Sequence, residues 1–209
     1  MFDPAKFRLD GQVALVTGAG AGIGRGIAEM FAGAGAAVVV SDLKQETADE
    51  VAKAITEAGG KAVGVACNVT KEEDLQATVQ AAIDTFGSLS ILVNNAGGGG
   101  PKPFDMPMED FRWAYEINVF APFRLTQLAV PHIEKAGGGA VLNISSMSAE
   151  NKNVRMASYS SSKAAISHLT RNIAHDLGAK NIRVNGIAPG AIRTAALATV
   201  LTPEVEQAM

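Results

Sequence analysis

From Gln12 onward, short apolar, β-branched runs alternate with stretches long enough for helices. Gln12 to Thr17 (QVALVT) and Ala37 to Val40 each read as a buried strand, the mark of a parallel sheet, and Ala62 to Ala66 and Ser90 to Val93 read as a third and a fourth strand. Between them lie a helix to about Ala34 stopped by Gly35, a helix over Thr47 to Ala58 closed by Gly59 and Gly60, and a helix opened by the capping box Thr70-Lys71-Glu72-Glu73 and running to about Phe86. Ala140 to Ile144 and Asn181 to Ile187 add a fifth and a sixth strand. A long helical region from about Glu109 to Lys135 precedes the fifth, with a kink or break expected at Pro122 or Pro131. A helix that starts near Ser158 and stops at Gly178 precedes the sixth. Such alternation requires a parallel sheet with helices on both faces, and right-handed crossovers make it a doubly wound α/β fold. Gly97 to Pro107 reads as loop, and Ala191 to Met209 is alanine-rich and helical in pieces. No linker, repeat or change of composition interrupts residues 1–209, so a single domain is expected.

Composition narrows the partners. A net charge of −3 with no basic run argues against nucleic acid and anionic membrane surfaces. The single cysteine, Cys67, leaves no internal disulfide and fits a reducing compartment. The N-terminal stretch is polar with both charge signs, and no apolar run reaches membrane-spanning length. A cytoplasmic protein is expected. His132, His168 and His175 are scattered without ligand spacing, so no metal is expected.

Two patterns carry chemistry. Glycines 18, 20, 22 and 24 lie between the first strand and its helix. A glycine turn there lets the backbone approach a pyrophosphate, and the helix N-terminus supplies free N–H groups and partial positive charge. Asp42 ends the second strand, where a carboxylate accepts hydrogen bonds from a ribose and repels a 2′-phosphate. Ala21 before Gly22 is not basic, so the pattern favours NAD, although Lys44 leaves some room for NADP. The fold is thus Rossmann-like. The second pattern is Tyr159-Ser160-Ser161-Ser162-Lys163, which sets a phenol and an ammonium one helical turn apart. A phenol titrates near ~10, and a neighbouring cation favours its ionised form, so the pair is a candidate general acid/base.

With these motifs in place, the chain resembles the short-chain dehydrogenase/reductase family. The likeness rests on Thr17 to Gly24 (TGAGAGIG), Asn94-Asn95-Ala96-Gly97, Asn118-Val119, Ser146, Tyr159 with Lys163, and Pro189-Gly190, all in the family's order and spacing. Within the family, Asn94 to Met108, Ala149 to Asn153 and Asn181 to Ile192 look most similar to the bacterial 7α-hydroxysteroid dehydrogenase subgroup. The resemblance implies roles. Tyr159 would exchange a proton with the substrate oxygen, and Lys163 would bind the nicotinamide ribose and lower the phenol's pKa. Ser146 would hold the carbonyl or alcohol, and Asn118 would pass protons from water to Lys163. Gly18, Gly22, Ile23 and Gly24 would form the cofactor turn. Asn95, Ala96 and Gly97 would border the riboses. Pro189, Ile192 and Thr194 would lie at the nicotinamide end. Asn68, with Val69 beside it, stands where the family usually has an aspartate for the adenine amino group, and its side-chain oxygen is expected to accept that bond. Gly99 and Asn151 would face the substrate.

The expected activity is reversible hydride transfer between NAD and a secondary alcohol or ketone, with the 7α-hydroxyl of bile acids preferred on resemblance. The alternatives are another NAD(P)-linked carbonyl reductase, such as a 3-oxoacyl reductase, or a dinucleotide-binding protein without catalysis. The resemblance also implies a homotetramer, a mobile substrate lid over residues 190–209, and a further helix and last strand that the chain lacks before Met209. An incomplete chain is the expectation.

Overall fold

The structure, a computed structural model, describes residues 4–198. Strands β1 (Val13–Thr17), β2 (Ala37–Asp42), β3 (Lys61–Ala66), β4 (Ile91–Asn94), β5 (Gly139–Ile144) and β6 (Ile182–Ile187) form one sheet in the order β3-β2-β1-β4-β5-β6. Every neighbouring pair is parallel. The order reverses between β1 and β4, and the carboxyl ends of these two strands open the crevice where ligands of such sheets bind.

The helices are α1 (Gly22–Gly33), α2 (Gln45–Glu57), α3 (Glu72–Phe86), α4 (Met108–Tyr115), α5 (Ala121–Lys135), α6 (Ala157–Leu177) and the short α7 (Ala195–Ala198). Alternation along β1 divides the core. Ala14 and Val16 pack with Val38, Val40, Ala28 and Val51 under α1 and α2. Val13 and Leu15 pack with Val79, Leu125, Ile133 and Ile173 under α3, α5 and α6. Burying each such side chain contributes ~1.5–3 kcal/mol, and this two-faced burial is what holds the strands in place. β3 and β6 are the outer strands of the described sheet, and Arg183 and Asn185 of β6 are exposed.

One polar cluster interrupts the apolar core. Asn94 of β4 and Asn143 of β5 are register partners. Asn94 Nδ2 donates to Asn143 Oδ1 at 2.8 Å and to Thr126 Oγ1 on α5 at 3.1 Å, while Asn143 Nδ2 donates to Thr170 Oγ1 on α6 at 2.9 Å. All four side chains are buried. They tie the sheet centre to both helices that approach the crevice from this side.

Two expectations need correction. The capping box at Thr70 is absent: the N-cap of α3 is Lys71, and no side chain caps the helix. Thr70 instead donates from both its backbone nitrogen and its hydroxyl to Asn68 Oδ1. A local Asx turn has outcompeted the cap. The long helix after Glu109 breaks at neither proline's own position. Glu116–Phe120 is a π-helical segment, Pro122 falls in the first turn of α5 where its missing N–H costs little, and α5 continues through Pro131. Pro122 does have an effect one turn back, because it cannot donate to the carbonyl of Asn118. Of the expected lid, Ala195–Ala198 is helical and Leu197 N donates to Thr194 Oγ1 at 3.2 Å. Residues 199–209 lie outside the described residues.

Candidate active site

A cleft of about 700 Å³ opens at the carboxyl ends of β1, β4 and β5. Its floor is a latch between two turns. Thr17 Oγ1 accepts from the backbone nitrogens of Asn95 (3.1 Å) and Ala96 (3.0 Å). Asn95 Nδ2 donates back to the carbonyls of Thr17 (2.8 Å) and Gly18 (3.0 Å). Asn95 therefore braces the glycine turn as well as lining the cleft. The close fit explains two glycines. Gly18 takes φ +61° against the Ala96 backbone, and a Cβ on Gly24 would overlap Gly18 O and Asn95 Nδ2.

Helix α1 begins at Gly22, and its N-cap, Ala21, offers no side-chain acceptor. The first-turn N–H groups are left for an anion. Asp42 Oδ2 accepts from Gly20 N at 2.9 Å and Oδ1 from Thr47 Oγ1 at 3.0 Å. A Cβ on Gly20 would come within 2.8 Å of that carboxylate. The glycine turn is thus a cradle shaped by backbone alone, with one carboxylate at its rim. These residues fit the diphosphate and adenosine ribose of NAD.

At the other end of the cleft, Ser146 follows β5 and caps the single turn Met147–Ala149, with its Oγ accepting from Ser148 N at 3.1 Å. That leaves the serine's own hydrogen free to donate to a ligand oxygen. Tyr159 lies in the first turn of α6 and Lys163 one turn later. Lys163 is 5% exposed; its Nζ lies 5.8 Å from the Tyr159 ring centroid and donates to Ile144 O at 2.9 Å. Burial pulls the Lys163 ammonium down to about 8 from its ordinary 10.5. Ser145 Oγ holds the Lys163 carbonyl at 2.9 Å, which fixes the lysine's backbone against β5.

Asn118 is buried in the π segment just behind the cleft wall. Its Nδ2 donates to Gly98 O (2.7 Å) and Ser162 Oγ (3.1 Å), and its Oδ1 accepts from Gly98 N (3.1 Å). The side-chain amide is fully engaged in holding Gly98. A Cβ on Gly97 would sit 2.8 Å from Asn118 Oδ1 and 3.1 Å from Lys163 Nζ, so only glycine passes between them.

Of the residues singled out in the sequence, Gly18, Gly22, Ile23, Asp42, Asn68, Val69, Asn95, Ala96, Gly97, Gly99, Ser146, Tyr159, Lys163, Pro189 and Thr194 line this one cleft. Gly24 and Asn118 stand immediately behind it. Thr194 closes over the glycine turn, its Cγ2 lying 3.3 Å from where a Cβ on Gly22 would be. Ile192 and Asn151 do not line the cleft: Ile192 is 48% exposed, and Asn151 is exposed with its backbone N bonded to Met147 O. The oxygen of Asn68 is occupied by Thr70 rather than presented to the cleft, contrary to the sequence expectation.

Sequence reasoning passed over Trp113 and Ile117, which line the cleft from one face of the helical region before α5. Their four-residue spacing is a signal that could have found them. It also passed over Ser162, which carried no pattern of its own. Ser162→Ala is expected to lower kcat about fivefold with little change in the KM for NAD, since one hydrogen bond orienting Asn118 is lost; steady-state kinetics checks this. Cys67 is buried, and burial pushes its thiol up, away from reactivity. Among the described residues no group of His, Cys, Asp and Glu could hold a metal, and no helix is long and apolar enough to cross a membrane.

The sequence pattern described as short chain dehydrogenase matches residues 12–204. The 7α-hydroxysteroid dehydrogenase of Escherichia coli strain K12 is 61% identical over 209 residues, spanning 100% of this chain and 82% of that protein. The cyclohexanol dehydrogenase of Acinetobacter sp. strain SE19 is 36% identical over 193 residues, spanning 91% of this chain and 77% of its own. A solved 7α-hydroxysteroid dehydrogenase complexed with NADH and 7-oxo glycochenodeoxycholic acid superposes with a TM-score of 0.97. It is 60% identical, and the match covers 100% of this chain and 82% of that one.

Proposed function

Because this chain belongs to the short chain dehydrogenase family, we propose that it is an NAD-dependent oxidoreductase that interconverts the 7α-hydroxyl of bile acids and the corresponding 7-ketone. The observation that carries the reading is the buried Lys163 beneath Tyr159 at the head of an NAD-shaped cleft. It occurs in a chain 61% identical to a 7α-hydroxysteroid dehydrogenase. The 36% relative acts, by its name, on a different alcohol, so the family alone does not choose the substrate.

NAD, when bound, would supply the acceptor for the hydride of the carbinol carbon, and NADH its donor. The chain itself positions the reactants and manages one proton. The first-turn N–H groups of α1 would hold the diphosphate, and Asp42 would hold the adenosine ribose. Ser146 Oγ–H donates to the substrate oxygen and fixes the reacting carbon. Tyr159 Oη removes the alcohol proton. The Lys163 ammonium lies 5.8 Å from the Tyr159 ring centroid and spares two hydrogens beyond its bond to Ile144 O for the nicotinamide ribose and a water. Asn118 cannot serve the proton path through its amide, which is fully bonded. Trp113, Gly98 and Gly99 offer the apolar, close-fitting wall a steroid needs.

The protein works in the cytoplasm as a homotetramer on a small-molecule substrate, with no nucleic acid or membrane partner. The net charge of −3 supports the last point. Trp113, Phe120 and Phe123, exposed along α4, the π segment and the start of α5, supply apolar surface for subunit contact. Residues 1–209 act as a single domain, with residues 190–209 as the substrate lid.

A panel of hydroxylated bile acids with NAD and NADP, followed at the nicotinamide absorbance, tests the reading. Turnover of a 7α-hydroxy bile acid with NAD is expected, and its absence would overturn the substrate assignment. Asp42→Ala is expected to weaken NAD about tenfold and to narrow the preference over NADP, since both a ribose acceptor and a repulsive charge are lost. A KM comparison for the two dinucleotides checks this.

A further inference from the structure

Asn68 stands just past β3 on the cleft wall, beside Val69 and Thr70. Its Oδ1 accepts from Thr70 N at 3.1 Å and from Thr70 Oγ1 at 2.8 Å. Its backbone nitrogen donates to Asp74 Oδ2 at 2.8 Å, which fixes the turn from below. The amide cannot rotate by half a turn, because Nδ2 would then set a donor against the Thr70 N–H. Nδ2 has no protein partner among the described residues. Residue 68 therefore presents a hydrogen-bond donor to the cleft, where a carboxylate would present an acceptor.

What this donor meets follows from the NAD reading above, on which the inference rests. Asp42 ends β2 and pairs with Ala66 at the end of β3. An adenosine with its phosphates at the start of α1 and its ribose at Asp42 extends its base outward over β3. The purine edge farthest from the ribose bears N1 and the substituent at C6. Adenine carries an amino donor there, and hypoxanthine carries a keto acceptor. We infer that Asn68 makes this end of the site tolerant of a 6-keto purine, so that nicotinamide hypoxanthine dinucleotide binds about as well as NAD. Nδ2 donates directly to the keto oxygen, whereas with adenine it faces a second donor and can use only N1.

Asn68→Asp reverses the chemistry while keeping the turn. One carboxylate oxygen still accepts from Thr70, and the other accepts from the adenine amino group and repels a keto oxygen. Isothermal titration of the full chain with NAD and with the hypoxanthine dinucleotide reads affinity independently of turnover. The wild-type dissociation constants are expected to lie within about threefold of each other, and Asn68→Asp to favour NAD by about tenfold. A wild-type preference for NAD of tenfold or more, or an Asn68→Asp ratio unchanged from wild type, would overturn the inference. If both dinucleotides bind in the expected ratio but no bile acid is oxidised, the proposed activity fails and this inference stands. Binding of neither would overturn both.

Discussion

Replacing Tyr159 by phenylalanine is expected to lower kcat for 7α-hydroxy bile acid oxidation by about 10³-fold, within the range that a positioned acid/base contributes. Tyr159 and Phe share shape, and the ring contact with the Gly99 backbone position survives. The dissociation constant for NAD is therefore expected to stay within about twofold of wild type, because the diphosphate and ribose contacts are untouched. Rapid-mixing kinetics with a saturating bile acid separates the two quantities. Residual turnover near the wild-type level would mean that the proton passes through another group.

Lys163→Met should combine a smaller loss of turnover with an unusual effect on stability. The variant loses the cation beside the Tyr159 ring and its hold on the cofactor ribose, and about 10²-fold in kcat is expected to go with them. The wild-type lysine titrates at about 8 in the folded chain against 10.5 for an ordinary lysine. The sign follows from proton counting. Between those two values the unfolded chain binds more protons, so wild-type stability rises as pH rises from about 8 to about 10.5. Below about 8 both states are protonated, and the folded chain carries the full burial cost. That difference corresponds to about 3 kcal/mol. Methionine removes the titration. The stability of Lys163→Met relative to wild type is therefore expected to be most favourable at neutral pH and to fall by that order as pH climbs. Urea unfolding of the two proteins without cofactor, at intervals from pH 7 to 10, measures it. A pH-independent difference would show that the lysine is not buried as a cation.

Much of this architecture was legible before any coordinates. The central strands β1, β2 and β4 are apolar on both faces, so the parallel sheet could be read directly. The cleft residues were legible where function constrains backbone shape, as at Gly18 and Gly22, or where a pair repeats at a helical interval, as at Tyr159 and Lys163. The failures share a physical cause. Thr70 and Glu73 have the spacing of a capping box, but Asn68 two residues earlier offers Thr70 a tighter local partner. Spacing rules see one partner at a time and do not weigh competitors. Pro122 was expected to break a helix, but the irregularity formed one turn earlier, where Asn118 must reach Gly98 and Ser162. Ser162 and Asn143 act through contacts distant in sequence and leave no local trace. Ile192 and Asn151 were placed by likeness alone, and neither lines the cleft.

The buried amides of Asn94 and Asn143 bear on how the chain avoids assembling its sheet wrongly. β4 and β5 are otherwise short apolar segments, and valine pairs with leucine almost as well in one alignment as in the next. Sliding β5 by one residue would turn Asn143 to the opposite face and take away its bond with Asn94 inside the protein. An unmet amide costs ~1–3 kcal/mol, and Thr170 would lose the bond from Asn143 as well. The two asparagines thus act as a key that fits one alignment only. Ser145 and Ser146 lie directly beyond the end of β5, so the same key decides, while the sheet is still forming, where the substrate's oxygen will later be held.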